Sequence, residues 1–240
     1  MPRRKGKGGG GGKRQREGGG GGGGEQPKPP AVSPKELAPP EVVAFTEDAT
    51  TGSEQLMTVK GALTHHEAAQ WIAYAESLGL ASTRPKGGKP ERGHAYRDNF
   101  RAQVHDRSIA DALWRSGLGR SIEQVTPPDA SGRQAVGFND NIRLYRYDPG
   151  LRFGKHYDTA DSDSLGRQTL YTVLIYLSEC GGGETVFYAE HGGGETARVT
   201  PTVGMVLLHR HGVDCWQHEA VAVTAGTKYI LRTDVVYAFA

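Results

Sequence analysis

The second half of the chain consists of short segments that either alternate apolar and polar residues or are wholly apolar. From about Val136 onward, turns rich in Gly, Asp or Pro separate these segments. Such patterning is typical of strands, and about eight of them in roughly a hundred residues predict a sandwich, barrel or double-sheet jelly roll. The segments are NIRLYRY, the residues around KHYD, QTLYTVLIYLS, ETVFYAE, ARVTP, GMVLLHRH, EAVAV and TKYILRTDVVYAFA.

Two helices are predicted ahead of these strands, and we expect both to pack outside a sheet. Thr64 and Glu67 have the spacing of a capping box at the start of the first helix, and Gly79 ends it. Its apolar stripe contains Trp71, Ile72, Ala75 and Leu78. The second helix, HDRSIADALWRSGLGRSI, carries Ile109, Leu113, Trp114 and Leu118 on one side.

The N-terminal region has a different composition from the rest. Residues 1–25 are nearly all Gly, Arg and Lys, with nothing apolar to bury, and a Pro-rich stretch follows to about Pro40. We therefore predict a disordered tail and linker over 1–40, a strand–helix support region over 41–135 and a β core over 136–240. Residues 1–17 contain seven Lys or Arg and one Glu, whereas the whole chain is formally +2, so the remainder is mildly acidic.

The basic tail has three interpretations. The first is a solvated leader. The second is a basic arm, which acts as a nuclear-import signal or makes weak contacts with nucleic acid or an import receptor. The third is an organelle transit peptide. The start of the chain shows no secretory signal, and no apolar run approaches the roughly twenty residues of a membrane span. Cys180 and Cys215 are therefore expected to be reduced thiols in a cytoplasmic or nuclear protein without membrane contact.

Three residues have the types and order of a metal site. His156 and Asp158 lie two apart in KHYD, and His218 follows in CWQHEA. Two imidazoles and one carboxylate form the facial set of non-haem Fe(II) oxygenases, which leaves positions open for a chelating co-substrate and O2. On an extended strand His156 and Asp158 point to one face, and a distant strand would supply His218. The pair alone is also typical of a protein surface.

The other histidines test this assignment. His65 and His66 lie at a helix start, and His94, His105 and His191 lie in polar segments. His209 and His211 form a plausible ligand pair at the end of GMVLLH. We interpret them as structural, or as groups that support the ligands.

Lys228 lies ten residues beyond His218 in GTKYILRTD, where period two places it on one face with Ile230 and Arg232. A cation inside a sheet sandwich is costly unless it meets an anion. Lys228 either reaches the sheet edge, pairs with a protein carboxylate, or binds the distal carboxylate of a dicarboxylate on the metal. Its distance from His218 in the sequence favours the last, with Arg232 as the alternative residue for the role.

Two further motifs have ordinary structural interpretations. The Gly-rich segment GGGETVF, residues 181–187, is typical of a tight turn into a strand. Tyr147, Thr172 and Tyr176 carry hydroxyl groups that need partners if they point inward. They are either core residues or groups placed around a bound carboxylate.

Together these motifs resemble the catalytic domain of prolyl 4-hydroxylase-like Fe(II)/2-oxoglutarate dioxygenases. The likeness rests on YDPG followed by HYD, on TVLIYLS, GGGETVF and GMVLLH, and on HEAVAV and GTKYILRTD. It also includes the strand and helix of MTVKGALTHHEAAQWIAYAESLGL, so that it covers roughly residues 55–240.

The resemblance implies an α+β fold with a double-stranded β-helix core and N-terminal helices outside one sheet. It implies iron ligands at His156, Asp158 and His218. It implies that Lys228 holds the far carboxylate of 2-oxoglutarate, that Tyr147 also contacts it, and that Thr172 and Tyr176 line the same pocket. The expected cofactors are Fe(II), 2-oxoglutarate and O2, with ascorbate supporting turnover.

The expected reaction is hydroxylation of an unactivated C–H bond with release of succinate and CO2. Halogenating relatives have a small residue at the position of Asp158, so its presence favours hydroxylation. The substrate is a prolyl or other residue of a protein or peptide, or a small molecule, and the loop from Arg84 to Phe100 is the expected selector. Two alternatives are a non-catalytic jelly-roll metal-binding module and an oxygenase that acts on nucleic acid through the basic tail.

Overall fold

The computed structural model describes residues 27–38, 40–42, 55–188 and 194–239. The basic tail and His191, on which two of the sequence predictions fall, lie outside these residues. The predicted domain boundaries stay a prediction. No helix among the described residues is long and apolar enough to span a membrane.

The described part of the chain is mainly β structure. Its strands are β1 (Glu41–Val42), β2 (Leu56–Val59), β3 (Ala81–Ser82), β4 (Arg97–Asp98), β5 (Phe100–His105), β6 (Gln134–Phe138), β7 (Asn141–Tyr147), β8 (Arg152–His156), β9 (Thr169–Tyr176), β10 (Gly181–Gly182), β11 (Thr185–Tyr188), β12 (Glu195–Val199), β13 (Val206–Arg210), β14 (His218–Ala220), β15 (Val223–Ala225) and β16 (Lys228–Ala238). Its α-helices are α1 (His65–Ser77), α2 (Arg107–Leu113) and α3 (Gly119–Glu123).

Two sheets face each other, as the predicted double-stranded β-helix requires. Within the described residues, the larger sheet has the order β1-β2-β13-β9-β16-β7-β5-β3, with β6 also paired to β16. The smaller sheet has the order β12-β11-β14-β8-β4, and β10 pairs separately with β15. Apolar side chains of both sheets, among them Tyr176, Leu207 and Ile230 from the larger and Phe187 and Val199 from the smaller, form the core between them. The predicted fold class is confirmed.

The helices cover the outer face of the larger sheet. Trp71 of α1 and Ile109 and Leu113 of α2 are buried in one cluster with Val173 and Leu231 of the sheet. The predicted capping box is present, because the side chain of Thr64 accepts from the Glu67 amide and the Glu67 carboxylate accepts from the Thr64 amide. Alternate residues of β7, β9 and β16 therefore face either these helices or the space between the sheets.

The second predicted helix is broken, and this part of the sequence prediction was wrong. A π-helical turn over Trp114–Leu118 separates α2 from α3, and Gly117 within it has φ 105°. A Cβ at Gly117 would lie 2.0 Å from the carbonyl oxygen of Lys35. The Lys35 amide also donates to the Ser116 carbonyl at 2.7 Å, so the N-terminal segment runs directly over the break. This close approach requires glycine.

Candidate metal centre and adjoining cavity

The smaller sheet brings two of the predicted ligands together. β8 and β14 are antiparallel neighbours, and His156 and His218 are paired residues in their register. The two imidazole rings lie 4.2 Å apart between centroids. Phe153 stacks on His156 at 3.7 Å and Phe187 stacks on His218 at 5.3 Å, so aromatic packing fixes both rings.

Asp158 does not lie on the strand with His156, as the sequence pattern predicted, but two residues beyond its end. Its backbone is held by other contacts: the Asp158 amide donates to the Cys215 sulfur at 3.2 Å, and its carbonyl accepts from the Gly212 amide at 2.9 Å. The carboxylate still reaches both histidines. Asp158 Oδ1 lies 3.6 Å from His156 Nε2, and Oδ2 lies 3.7 Å from His218 Nε2.

The protonation states suit a divalent cation. The Nδ1 atoms of His156 and His218 contact the carbonyls of Gly154 and Trp216 at 2.8 and 2.9 Å, which leaves each Nε2 as the free donor atom. Burial lowers the pKa of His156 to about 3 and also lowers the pKa of His218, so both imidazoles are neutral.

The carboxylate is ionised for a different reason. Burial alone would raise the pKa of Asp158, but Arg232 holds it well below its usual range. The donor atoms of His156, Asp158 and His218 lie within 4.8 Å of one another. Neutral imidazoles and an ionised carboxylate at this spacing fit Fe(II).

A second cluster, His209, Cys215 and His218, also has its donor atoms within 4.8 Å of one another. Its sulfur is a poor ligand, because burial raises the pKa of Cys215 to about 12 and thiolate is the metal-binding form. The first set is therefore the better site.

His209 and His211 lie beside the candidate ligands. Among the described residues His209 Nε2 has no hydrogen-bond partner, and it is buried 3.6 Å from Asp158 Oδ2. His211 lies between the hydroxyls of Thr169 and Thr172, at 3.0 and 3.1 Å. Their interpretation as supporting residues stays a prediction.

Arg232 and Thr172 hold the Asp158 carboxylate. Arg232 NH1 donates to Oδ1 at 3.1 Å, and the Thr172 hydroxyl donates to Oδ2 at 2.9 Å. Arg232 NH2 lies 3.5 Å from Asp234, which is fully buried. Arg232 thus lies at the candidate metal centre and is already engaged by two carboxylates.

Lys228 lies at the other end of the same face of β16. Four residues of extended strand separate it from Arg232, a span of about 13 Å. The Lys228 ammonium lies 5.6 Å from the Tyr147 ring and 5.4 Å from the Tyr176 ring, and it donates to the Gly183 carbonyl. Within the described residues it makes no ion pair. Burial lowers the pKa of Lys228 to about 8.

A narrow cavity lies between the two ends, and a larger cleft shares several of its lining residues, among them His156, Asp158 and Arg232. The cavity, about 40 Å³, is lined by residues of both ends, including His218, Tyr147, Lys228 and Arg232. The cleft, about 890 Å³, has His156 and Asp158 in its floor and part of the loop from Thr83 to Arg97 in its wall. The candidate ligands and the Lys228 side chain therefore line one cavity, beside a cleft that reaches His156 and Asp158.

The structure divides the predicted site residues between these ends. The first set lies around Asp158 and comprises His156, His218, Thr172 and Arg232. The second set surrounds the Lys228 ammonium and comprises Tyr147 and Tyr176.

The sequence interpretation did not single out three residues at the site, which are Arg97, Arg143 and Tyr145. Arg143 and Tyr145 share the face of β7 that carries Tyr147, so period two in NIRLYRY was a usable signal. Arg97 lies within the segment from Arg84 to Phe100 that was predicted to select the substrate, but no pattern in that segment distinguished it from its neighbours.

This geometry agrees with a family match. Residues 142–233 match the family described as the 2OG-Fe(II) oxygenase superfamily, and this range contains every predicted ligand and Lys228. The resemblance that the sequence motifs predicted is thus confirmed over residues 142–233. The protein is therefore an oxidoreductase of the dioxygenase type, and the superfamily chemistry uses Fe(II), 2-oxoglutarate and O2.

Solved structures show the same fold. A viral collagen prolyl hydroxylase from Paramecium bursaria Chlorella virus-1, in complex with 2OG, is 19% identical with a TM-score of 0.54, over 76% of this chain and 96% of that one. A prolyl-4-hydroxylase from Pseudomonas putida is 14% identical with a TM-score of 0.54, over 76% and 92%.

A prolyl hydroxylase from Trichoplax adhaerens, in complex with a hypoxia inducible factor peptide fragment, is 16% identical with a TM-score of 0.52, over 76% and 84%. No curated protein gave a significant match to the sequence. At these identities the structures support the fold, and the substrate has to be argued separately.

Proposed function

We propose that the protein hydroxylates an unactivated C–H bond, with a prolyl residue of a polypeptide as the first substrate to test. The reaction would consume 2-oxoglutarate and O2 and release succinate and CO2. One observation carries this proposal: His156, Asp158 and His218 lie at one end of a cavity whose other end contains the buried cation of Lys228.

The three ligands would hold Fe(II) and leave the remaining positions to the co-substrate and O2. A bound Fe(II) would supply the redox chemistry that couples decarboxylation of 2-oxoglutarate to hydroxylation. The protein's part is to fix its donors. The Gly154 and Trp216 carbonyls orient the imidazoles, and Arg232 and Thr172 orient the carboxylate. Such supporting contacts typically change metal affinity or activity by about 10–100-fold.

Lys228 would bind the carboxylate of 2-oxoglutarate that lies away from the metal. Its ammonium is buried, is not neutralised by a carboxylate of the described residues, and is flanked by Tyr147 and Tyr176. Binding would exchange the contact with the Gly183 carbonyl for a charge-assisted hydrogen bond, which contributes about 1.5–3 kcal/mol. Arg232 would not share this role, because Asp158 and Asp234 already engage its guanidinium.

The aromatic walls of the cavity would keep water away from the reacting groups. Phe153, Tyr145 and Tyr147 line it together with Leu174 and Ile230. A dry site strengthens the electrostatic contacts of Lys228 and limits side reactions. The open cleft would then admit the prime substrate to the metal side alone.

A prolyl substrate is supported by the kind of protein that shares this fold. The three similar structures described above are prolyl hydroxylases, from a virus, a bacterium and an animal. The cleft of about 890 Å³ is also large enough for a peptide segment rather than only a small metabolite.

The test is succinate formation from 2-oxoglutarate by the purified full chain with Fe(II) and ascorbate. Slow turnover without a prime substrate is expected, and proline-containing peptides should stimulate it. His156→Ala should abolish turnover, whereas His66→Ala, at an exposed helix start, should retain it. Absence of both turnover and metal binding would contradict the proposal and favour a non-catalytic jelly-roll module.

A further inference from the structure

Three arginines surround one buried tyrosine where the cavity meets the cleft. Arg97, Arg143 and Arg232 all line the cleft, and Arg97, Arg232 and Tyr145 also line the cavity. The Arg97 guanidinium lies 4.8 Å from the Tyr145 ring and 4.7 Å from the Phe153 ring. We call Arg97, Arg143, Arg232 and Tyr145 the arginine niche.

Two of these arginines are neutralised by the protein. Arg232 binds Asp158 at 3.1 Å and Arg143 binds Asp161 at 2.8 Å, while both approach the fully buried Asp234. When Asp158 coordinates a divalent cation, its charge is shared with that cation. The niche then has more positive charge than its carboxylates balance.

Arg97 makes no ion pair within the described residues. The neighbouring Asp98 does not serve it, because Asp98 binds Arg84 at 3.1 Å and accepts from the Tyr96 hydroxyl at 3.0 Å. Arg97 Nε is buried without a hydrogen-bond partner in the described part of the chain, and the guanidinium packs against the Tyr145 and Phe153 rings. A cation fixed in this way is positioned to bind an anion that comes from outside the protein.

The positive charges of the arginine niche change the pKa of Tyr145. Burial alone would raise the pKa of Tyr145, but Arg97, followed by Arg232, Arg143 and Arg101, lowers it. A buried phenol with a lowered pKa marks a strongly positive environment.

We infer that the prime substrate carries a carboxylate close to the carbon that is hydroxylated, and that Arg97 binds this carboxylate in the arginine niche. This inference rests on the proposed function and adds the chemical class of the substrate. The carboxylate belongs to an acidic side chain of a peptide or to a free amino acid. Co-substrate binding does not account for Arg97, because the metal and Lys228 already provide for both ends of 2-oxoglutarate.

The first experiment uses isosteric pairs on the wild-type chain. The peptides Ac-Asp-Pro-Gly-NH2 and Ac-Asn-Pro-Gly-NH2 differ by one carboxylate, and so do L-proline and L-prolinamide. We would measure binding of each to the Co(II)- and 2-oxoglutarate-loaded protein by calorimetry. A charge-assisted contact predicts at least about 10-fold tighter binding of the carboxylate member in one pair. The peptide pair and the amino-acid pair distinguish the two sources.

The second experiment changes the proposed partner. Arg97→Gln should reduce the carboxylate preference to about threefold or less, whereas Arg97→Lys should retain part of it. Arg152→Gln is the matched control, because Arg152 also lies over an aromatic ring, 5.4 Å from Tyr96, but lines a different depression. The control should keep the full preference.

Different results would contradict the proposed function and the inference about Arg97. Absence of both succinate formation and metal binding in the wild type would overturn the proposed function, and titration of the same pairs into the metal-free protein would still report on Arg97. Intact basal turnover with equal binding of both members in both pairs would overturn the inference alone. So would a ten-fold rise in the KM for 2-oxoglutarate in Arg97→Gln with the carboxylate preference unchanged, because Arg97 would then belong to the co-substrate site.

Discussion

The two ends of the cavity differ in how their charges are balanced. At the metal end, the carboxylates of Asp158 and Asp234 are paired before any ligand binds, both with Arg232 and Asp234 also with Arg143. At the other end, Lys228 is buried against a carbonyl and two aromatic rings and makes no ion pair with the described residues. The metal end is therefore organised in advance, whereas the Lys228 end keeps an unbalanced charge that a ligand has to complete.

The largest expected effect is loss of a metal ligand. Supporting residues alone typically contribute about 10–100-fold to metal affinity or activity, so His156→Ala should lower 2-oxoglutarate turnover by more than about 100-fold. Co(II) binding, followed by its visible spectrum, should weaken in parallel. Wild-type turnover in Asp158→Ala or His156→Ala at matched iron loading would show that the ligand assignment is wrong.

Arg232→Gln tests the balanced end. It leaves the buried carboxylate of Asp158 without its guanidinium and Asp234 with Arg143 alone, and breaking such a buried pair costs about 3–5 kcal/mol. The free energy of unfolding of the metal-free protein, from urea titration, should fall by this amount. Arg152→Gln on the exposed surface should change it by less than about 0.5 kcal/mol. If Arg232→Gln were as stable as this control, the ion pairs of Arg232 with Asp158 and Asp234 would not stabilise the metal end.

Lys228→Met tests the unbalanced end. Unlike Arg232→Gln, it should not lower the free energy of unfolding. Removing a buried cation that lacks a carboxylate partner should leave the free energy of unfolding unchanged or raise it. The same change should raise the KM for 2-oxoglutarate about 10–100-fold, because the charge-assisted hydrogen bond is lost. An unchanged KM would move the role to Arg232 and remove the difference between the two ends.

The sequence predicted the parts of this site that local patterns determine. His156, Asp158 and His218 were identified by spacing, and Lys228 and Arg232 were placed on one face by strand periodicity. The sequence could not show which of Lys228 and Arg232 is already paired with a carboxylate, because the contacts that decide this come from other parts of the chain.

The rest depended on contacts distant in sequence. Asp158 leaves its strand because Gly212 and Cys215, more than fifty residues later, hold its backbone. The break in the second helix depends on Lys35 crossing Gly117. Arg97 becomes a site residue only because β4 pairs with β8, which places it over Phe153. Single-residue patterns contain none of these distances.

The smallest expected effect is a pH dependence confined to the Lys228 end. Burial lowers the pKa of Lys228 to about 8, and the charged form binds the carboxylate. The affinity for 2-oxoglutarate should therefore be constant below pH 8 and weaken above it, by up to about tenfold per pH unit. Lys228→Arg should bind without this loss, because a guanidinium stays charged throughout. The affinity is measured by calorimetric titration of 2-oxoglutarate into the Co(II)-loaded wild type and the Co(II)-loaded Lys228→Arg variant at each pH. Because both proteins have the same metal end, the ratio of their affinities removes any pH effect that arises there. Parallel pH profiles in the two proteins would place the titrating group at the metal end, and the two ends would then differ less than their static contacts indicate.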